Sequence, residues 1–501
     1  MHATDKEIAD QATSDQGAHA PTAGMHDRRW LALFVLCAGV LMIVIDMTVV
    51  NVALPSIRQD LGFSEASLAW VVNAYLLTSG GFLLLGGRLG DLYGHRRLFL
   101  IGVIAFTVAS FACGLATTQT LLVAARAIQG LGGAIVDAVS LSLIMDLFTA
   151  PTDRARAMGV YGFVCAGGGS IGVLLGGSLT SALDWHWIFL INIPIGIVVV
   201  ALSLLLLPRA PPSDERRHLD VVGAITVTAA LMLAIHAIVN GNDAGWLSGR
   251  TLATLAGASA LLVIFLVVEA RVRAPLMPLA MFRLRSLVVA NISGVLWAAA
   301  MFAWFFISAL YLQLVLGYSP LQVGLAFLPS NLIMAAFSLG LSAKIVLRYG
   351  IRATLAVGLL LAAAGLLLFA RAPVAGQFVV DVLPGMLLLG LGAGVAFNPV
   401  LLAATSDVAP TESGLASGIV NTSFMMGGAL GLAILASIAS GRRAGLVAAG
   451  ADAIDALNRG YHVAFVVGAA FAAAGALIGV VFLRTRPAEP AGEVTQQRPN
   501  A

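Results

Sequence analysis

Charge is scarce in this chain. Asp, Glu, Lys and Arg make up 11% of 501 residues, against 59% hydrophobic, where a soluble domain carries about 25% and 45–50%. There is too little polar surface to wrap a core, so lipid must be the solvent for most of the molecule. Cysteine is scarce as well. Cys37, Cys113 and Cys165 all fall in apolar stretches, which excludes a disulfide framework or a Cys-based metal cluster and leaves them as packing residues. Only two of the 28 basic residues are lysine, and the bases do not cluster with aromatics, so a nucleic-acid surface is excluded and the net charge of +3 is read as membrane topology. A GxxxxGK[ST] phosphate loop is missing, which argues against a fused ATP-driven pump. Residues 1–27 lack the apolar core of a cleavable signal sequence and read as a polar, disordered tail, so insertion should begin with the first span.

What the chain has instead is apolar length. A helix needs around 20 residues to cross about 30 Å of hydrocarbon, and its backbone must be hydrogen-bonded internally. Fourteen stretches meet this near 31–54, 68–87, 98–116, 121–145, 157–180, 187–207, 220–240, 251–269, 287–313, 322–343, 353–370, 381–404, 414–438 and 461–483. The Lys/Arg distribution tests the count, because positive residues collect in cytoplasmic loops. With residues 1–29 inside, 19 Lys/Arg flank the inner ends and six (Arg58, Arg250, Arg371, Arg442, Arg443, Arg459) the outer. One missed span would scramble this asymmetry, so an even number of spans and two cytoplasmic termini support each other.

The halves repeat. Gly62-Phe63-Ser64 recurs as Gly317-Tyr318-Ser319 at offset 255, and Arg88, Tyr93, Gly94 and Arg96 recur as Lys344, Tyr349, Gly350 and Arg352 at offset 256. Ala150-Pro151-Thr152-Asp153 recurs as Ala409-Pro410-Thr411-Glu412, and Gly168, Gly169 and Gly172 as Gly427, Gly428 and Gly431, at offset 259. The offset spans eight helices, an even number, so the repeats run parallel and relate by an axis along the membrane normal. The expected fold is an all-α polytopic membrane protein of 14 transmembrane helices, with two six-helix bundles related by a pseudo-twofold parallel repeat plus two inserted helices. The divisions are a disordered cytoplasmic tail (1–29), an N-terminal bundle (30–207), a linker with the inserted pair (208–285), a C-terminal bundle (286–484) and a second tail (485–501). In such folds substrate and coupling-ion sites lie near the midplane between the halves, which rock to expose them alternately.

Several polar groups stand inside the spans. Asp46 sits about 12 Å below the outer end of its helix at Leu54, where a charge costs roughly 2.5–3.5 kcal/mol and should face a cavity or a partner. A carboxylate whose proton affinity follows its surroundings suits a proton carrier that both conformations can read; a fixed structural pair is the other reading. Arg126 lies at matching depth, so the two could form a titratable pair. Arg126, Gly130, Gly133 and Asp137 step by four, three and four along one helical face, and Asp137 is either a second proton or cation site or a water-exposed residue of the inner vestibule. Substrate-cavity candidates are Asn51, Gln129, Gln313, Asn331, Asn398 and Asn421, with neighbouring-helix hydrogen bonds as their alternative role. Trp297, Phe302, Trp304, Phe305, Phe306 and Tyr311 could wall a lipophilic cavity or face lipid. His236 reads as a packing residue.

These motifs resemble the fourteen-span drug:proton antiporters of the major facilitator superfamily over nearly the whole chain beyond the tails. Gly87-Arg88-Leu89-Gly90-Asp91-Leu92-Tyr93-Gly94-His95-Arg96-Arg97 matches the signature loop between spans 2 and 3, whose glycines allow a tight turn and whose Asp91 can pair with Arg or a helix N-terminus. The resemblance implies that this loop, through Gly87, Arg88, Asp91, Gly94, Arg96 and Arg97, latches an inner gate. Ile45-to-Pro55 resembles the first-span motif, and Leu122-to-Ala134 the fourth-span motif through Arg126, Gln129, Gly130 and Gly133. Asp137 stands where that motif more often has proline, so no role transfers to it. Gly168-to-Gly177 is similar to the antiporter motif of span 5, with Gly168, Gly172, Gly176 and Gly177 forming a flat seam against proton leak; Val173 replaces the usual proline, and an ordinary small-residue packing seam is the alternative. Asp184-to-Pro194 also resembles the family, its tryptophans suiting the interface belt. Ala409-to-Gly431 resembles the entry of span 13, with Gly414, Ser417, Gly418 and Asn421 matching.

The function expected is therefore a proton-coupled secondary exporter of lipophilic drugs or antibiotics, cationic ones included, working by alternating access in a bacterial cytoplasmic membrane. Its partners are a lipophilic small molecule, protons and the bilayer; no cofactor or metal is expected, and the resemblance implies a monomer. The alternatives are export of one endogenous metabolite, such as an antibiotic or siderophore, and, more remotely, a polytopic lipid-modifying enzyme.

Overall fold

Long apolar runs with few breakers fold as long helices here, and the turns between them are set by a few residues. The computed structural model describes residues 23–208, 220–272, 275–408 and 412–483. The tails 1–22 and 484–501, the link 209–219, Arg273 and Ala274, and the Ala409-Pro410-Thr411 portion of the third repeat match lie outside the described residues.

Fourteen helices carry the fold: α1 (Ala23–Leu61), α2 (Trp70–Tyr93), α3 (His95–Gly114), α4 (Gln119–Leu147), α5 (Pro151–Ala182), α6 (Asn192–Leu206), α7 (Val221–Ala244), α8 (Gly249–Arg271), α9 (Arg285–Leu310), α10 (Pro320–Ala336), α11 (Ser342–Phe369), α12 (Leu383–Thr405), α13 (Ser413–Ala448) and α14 (Ala453–Phe482). Single turns at Glu65–Leu68 and Trp187–Leu190 lead into α2 and α6, and no strand occurs among the described residues. Thirteen helices are long and apolar enough to cross a bilayer; α10, at 17 residues, is shorter. The expected span 322–343 is thus not one regular helix. The chain continues from α10 through a π-helical turn, Phe337–Leu341, kinked at Gly340, into the start of α11, and a second break falls at Gly350.

Local chemistry explains the ends, and it repeats between the halves. Gly62 and Gly317 both have φ of 70°. Each is followed two residues later by a serine, Ser64 or Ser319, that closes a capping box with Ser67 or Gln322, satisfying backbone donors that a helix start leaves open. Gly94 (φ 91°) turns the chain between α2 and α3, and Gly350 (φ 81°) does so within α11, a region closed to residues with a Cβ. Two sequence matches at offsets 255 and 256 are therefore matched backbone conformations.

Packing carries the same symmetry. In the first half α5 lies on α1, α3 and α2 on α4, and α6 on α1 and α3; in the second α13 lies on α9, α11 and α10 on α12, and α14 on α9 and α11. The halves meet along α5–α10 and α2–α13, equivalent under the repeat, while α7 pairs with α8 and also touches α2 and α13. The inserted pair therefore leans on one of the two seams, and α8 presents Leu262, Val263, Ile264, Leu266 and Val267 outward.

Both described chain ends lie on one face, here the terminal face. There Arg29 approaches Asp153 (4.0 Å), Ser286 donates to Asp407 (2.5 Å) and Arg285 lies over the Phe482 ring (5.6 Å). On the far face Gln119 donates to the Leu61 carbonyl (3.0 Å) and Trp185 to Asp60 (3.0 Å).

Candidate functional site

Asp46 and Arg126 meet at the centre of the first half. Arg126 Nη1 donates to Asp46 Oδ2 at 2.5 Å, and the residues are 1% and 0% exposed. The pair is closed from water by the helices that hold it. Gln129 Nε2 (2.7 Å) and Asn192 Nδ2 (3.1 Å) both donate to Asp46 Oδ1, and both reach Ser110 Oγ, which donates onward to the Phe189 carbonyl. Arg126 also donates to the Val71 carbonyl (3.0 Å) and Gln129 Oε1 (2.7 Å), and its guanidinium lies 4.5 Å from the Tyr75 ring centroid and 5.7 Å from that of Phe189. Charge-assisted bonds of this kind are roughly twice as strong as neutral ones, and a desolvated cation gains about 2 kcal/mol over an aromatic face. Five elements converge: α1, α2, α3, α4 and the start of α6. Of this network the sequence reading names Asp46, Arg126 and Gln129 as site residues and misses Ser110 and Asn192. A polar residue in the first turn of an apolar span was a usable signal for Asn192; Ser110 had none beyond being a serine in a span.

The shared face of α4 is filled by α2. Gly130 lies against Tyr75 backbone, and a methyl at Gly133 would stand 2.7 Å from the Tyr75 hydroxyl. The glycines make room for one tyrosine. Its ring covers Arg126, and its hydroxyl has no hydrogen-bond partner among the described residues although the residue is 1% exposed. Asp137, one turn beyond Gly133, is half-buried and makes neither an ion pair nor a hydrogen bond with any described residue. Its charge is felt at Tyr75 and at Tyr161 and Cys165 of α5.

The signature loop closes on itself and on the insertion. His95 bridges Asp91 and Asp146 of α4, at 3.1 Å to each, while Arg88 donates to the Pro275 carbonyl (2.9 Å) and Arg96 to the Leu204 carbonyl (2.8 Å). Arg97 is exposed, and Gly94 supplies the turn. Close helix approach falls on Gly86, against the Ala134 backbone, and on Gly90, against Val139; at Gly87 a methyl would meet only Ala138, at 3.9 Å.

The span-5 glycines divide between two jobs. Gly168, Gly172 and Gly176 seat α5 on Val44, Ile45 and Val49 of α1, within one half, whereas Gly177 meets Pro320 and Leu321 of α10 in the other. Gly427 and Gly431 repeat the first arrangement against Val295 and Ala299 of α9. The Val173 carbonyl faces Gly324 of α10, at 2.6 Å from where a Cβ would stand.

The remaining polar candidates scatter. Asn51 donates to the Met47 carbonyl of its own helix, Gln313 crosses the far-face seam to the Val52 carbonyl (2.8 Å), and Asn398 bonds the Ser338 carbonyl (3.1 Å). Asn331 is 2% exposed with its amide nitrogen unpartnered. Asn421 is exposed in a cleft between α9, α12 and α13, with Trp297, Phe397, Val400 and Phe424 around it. Trp297, Trp304, Phe306 and Tyr311 are all buried, so they pack inside the second half and do not face lipid. His236 bonds Asn240 one turn along.

A duplicated bundle of apolar helices with a buried ion pair in one half and two equivalent seams between the halves is the architecture of a membrane transporter. The chain belongs to the Major Facilitator Superfamily, whose family model matches residues 36–432. It is 38% identical to a puromycin resistance protein of Streptomyces alboniger (96% of this chain, 97% of the relative) and 38% to a cephamycin export protein of Amycolatopsis lactamdurans (81% and 84%). It is also 34% identical to a tetracenomycin C resistance and export protein of Streptomyces glaucescens (85% and 78%). Among solved structures the fold matches a nucleoside transporter (TM-score 0.65, 14% identity, covering 91% of this chain and 100% of that one) and a bacterial homologue of the lysosomal transporter Spinster (0.62, 16%, 90% and 96%).

Proposed function

We propose that this protein exports lipophilic antibiotic-like compounds in exchange for protons, with Asp46 as the proton carrier and Arg126 as the group that reads its charge. The observation that carries this reading is the sealed network around Asp46. With the carboxylate ionised, Arg126, Gln129 and Asn192 converge on it. A proton on Asp46 removes the counter-charge of Arg126 and leaves a desolvated guanidinium, a change of several kcal/mol. Such a change can shift a two-state equilibrium between packings, because an input acts only through its differential stability in the two states.

The seams suit alternating access. On the far face Glu65 accepts from Arg443 of α13 and approaches Arg58 (3.4 Å), Gln313 reaches Val52, and the Leu321 amide donates to Ser181 (3.1 Å). The far face is sealed by contacts between halves. The basic residues gathered at the terminal face support placing that face and both termini in the cytoplasm, and the bacterial relatives support the cytoplasmic membrane. The packing symmetry supports a division into bundles 30–207 and 286–484 with an inserted pair, and a monomer contains every part of the proposed cycle.

A proton moving down about 150 mV supplies roughly 3.5 kcal/mol, enough for a gradient of several hundredfold. Membership of a transporter superfamily supports transport over the lipid-modifying enzyme. The relatives' names, each tied to one antibiotic, keep export of a single metabolite as the second reading. Both are tested by everted vesicles carrying a pH-sensitive dye. Substrate-dependent proton release in wild type that vanishes in Asp46→Asn supports the assignment. Undiminished release in the mutant overturns it, and a response to one compound of a panel selects the narrow exporter.

A further inference from the structure

A groove of about 460 Å³ opens between α7 of the inserted pair and α13 of the second half, away from the Asp46–Arg126 network. Ile238, Asn242 and Trp246 line one side, and Ile434, Ile438 and Arg442 the other. Ligand sites run from about 300 to 1,000 Å³, so the groove can hold more than a water or an ion. Its polar floor is already satisfied. Asn242 Nδ2 donates to the Ser437 carbonyl (2.7 Å), Ser437 Oγ to the Ile238 carbonyl (3.0 Å) and Trp246 Nε1 to Asn242 Oδ1 (3.1 Å). The lining side chain left over is a cation: Arg442 is exposed and makes no ion pair or hydrogen bond among the described residues. Its neighbour Arg443 is held by Glu65.

The lining is graded along the helix axes. Ile434, Ile438 and Arg442 follow at steps of four on one face of α13, which puts the cation about 12 Å beyond the first isoleucine. The three isoleucines are half-buried, so the groove reaches them. Arg442 stands beside the far-face seal at Arg443, and Trp246 and Leu247, in the turn into α8, are 46% and 88% exposed, which suits the aromatic belt of a membrane interface. An occupant must therefore bring one anionic group at interface level and an apolar body below it. A small anion from water leaves the isoleucine walls empty, and a neutral lipid leaves Arg442 without a counter-charge. An anionic glycerophospholipid satisfies both, since basic pockets between membrane helices hold such headgroups.

We infer that the groove between α7 and α13 binds an anionic glycerophospholipid of the outer leaflet, with its phosphate on Arg442 and the upper part of an acyl chain along Ile238, Ile434 and Ile438. The leaflet rests on placing the far face outside, as in the reading above; occupancy of the groove is tested without that placement. The bound lipid joins the inserted pair to the second half beside the Glu65–Arg443 link. Trp246, in the groove wall, reports contact. Full-length protein is placed in phosphatidylcholine nanodiscs containing a graded fraction of phosphatidylglycerol, or of phosphatidylcholine, brominated on the acyl chains, and the quenching that Trp246→Phe removes is read as contact in the groove. In wild type, phosphatidylglycerol is expected to quench Trp246 at about a fivefold lower lipid fraction than phosphatidylcholine. Arg442→Gln should abolish that preference and Arg442→Lys retain it, and an unfolding midpoint of Arg442→Gln close to wild type in phosphatidylcholine shows that the variant folds. Equal quenching by the two lipids in wild type, or a preference that survives in Arg442→Gln, overturns the site. Arg442 has no part in carrying the proton, so neither outcome touches the dye result at Asp46, and failure here and failure of the export reading are distinguishable.

Discussion

At the scale of single residues, the first-half network makes Arg126 costlier to lose than any surface arginine. Truncating it leaves Asp46 buried with only neutral donors, and breaking a buried pair from one side costs about 3–5 kcal/mol. Arg126→Ala is therefore expected to lower the unfolding midpoint strongly in detergent. The double variant Asp46→Asn/Arg126→Gln should recover much of that loss, because no lone charge remains; a double variant as unstable as the sum of the singles contradicts the coupling. Asp46, Arg126 and Gln129 were legible because charge and amide inside a span demand explanation. Ser110 was not, since a serine hydroxyl can always bond its own helix, and only the fold reveals that it receives Gln129 and Asn192. Gln313 was named with two roles, and its amide donates to the Val52 carbonyl, a neighbouring-helix bond that depth in the span does not separate from contact with substrate.

At the scale of elements, the two breaks at Gly94 and Gly350 define where spans end. Alanine at either is expected to cost of order 1–3 kcal/mol for the disallowed backbone. Gly87→Ala should be nearly neutral or slightly stabilising, because a helix prefers alanine by about 1 kcal/mol and only Ala138 stands near. Thermal unfolding of the three variants checks this, and a Gly87 variant as damaged as the other two would count against it. Span number and order were readable because hydrocarbon thickness dictates helix length and the charge bias dictates parity. The α10–α11 region was harder to read. Its π-helical turn, with the kink at Gly340, has no periodicity signal. Likewise, the sequence marks the span-5 glycines as a seam, but only the fold shows that three of them face α1 and one faces α10.

At the scale of the whole molecule, the seal of the far face is held by few polar links, with Glu65 and Arg443 the charged pair across the α2–α13 seam. Glu65→Gln is expected to raise the labelling rate of a cysteine introduced at Ser181, probed from the far side, severalfold relative to the same cysteine in a wild-type background. An unchanged rate would remove the pair from the seal. The inserted helix α7 leans on the same seam, with Thr228 against Gly81 of α2 and Asn242 bonded to Ser437 of α13 (2.7 Å to the carbonyl). Arg88 of the signature loop ties the first half to the segment leaving the insertion, at Pro275. The insertion is thus joined to both halves, which its position in sequence alone could not convey.

The central claim is that substrate and a proton on Asp46 exclude one another, and infrared difference spectroscopy of purified protein reads this directly. On adding a transported compound at acidic pH, the account predicts loss of a protonated-carboxyl band with release of about one proton, both absent in Asp46→Asn. The same band loss and proton release in Asp46→Asn would contradict it.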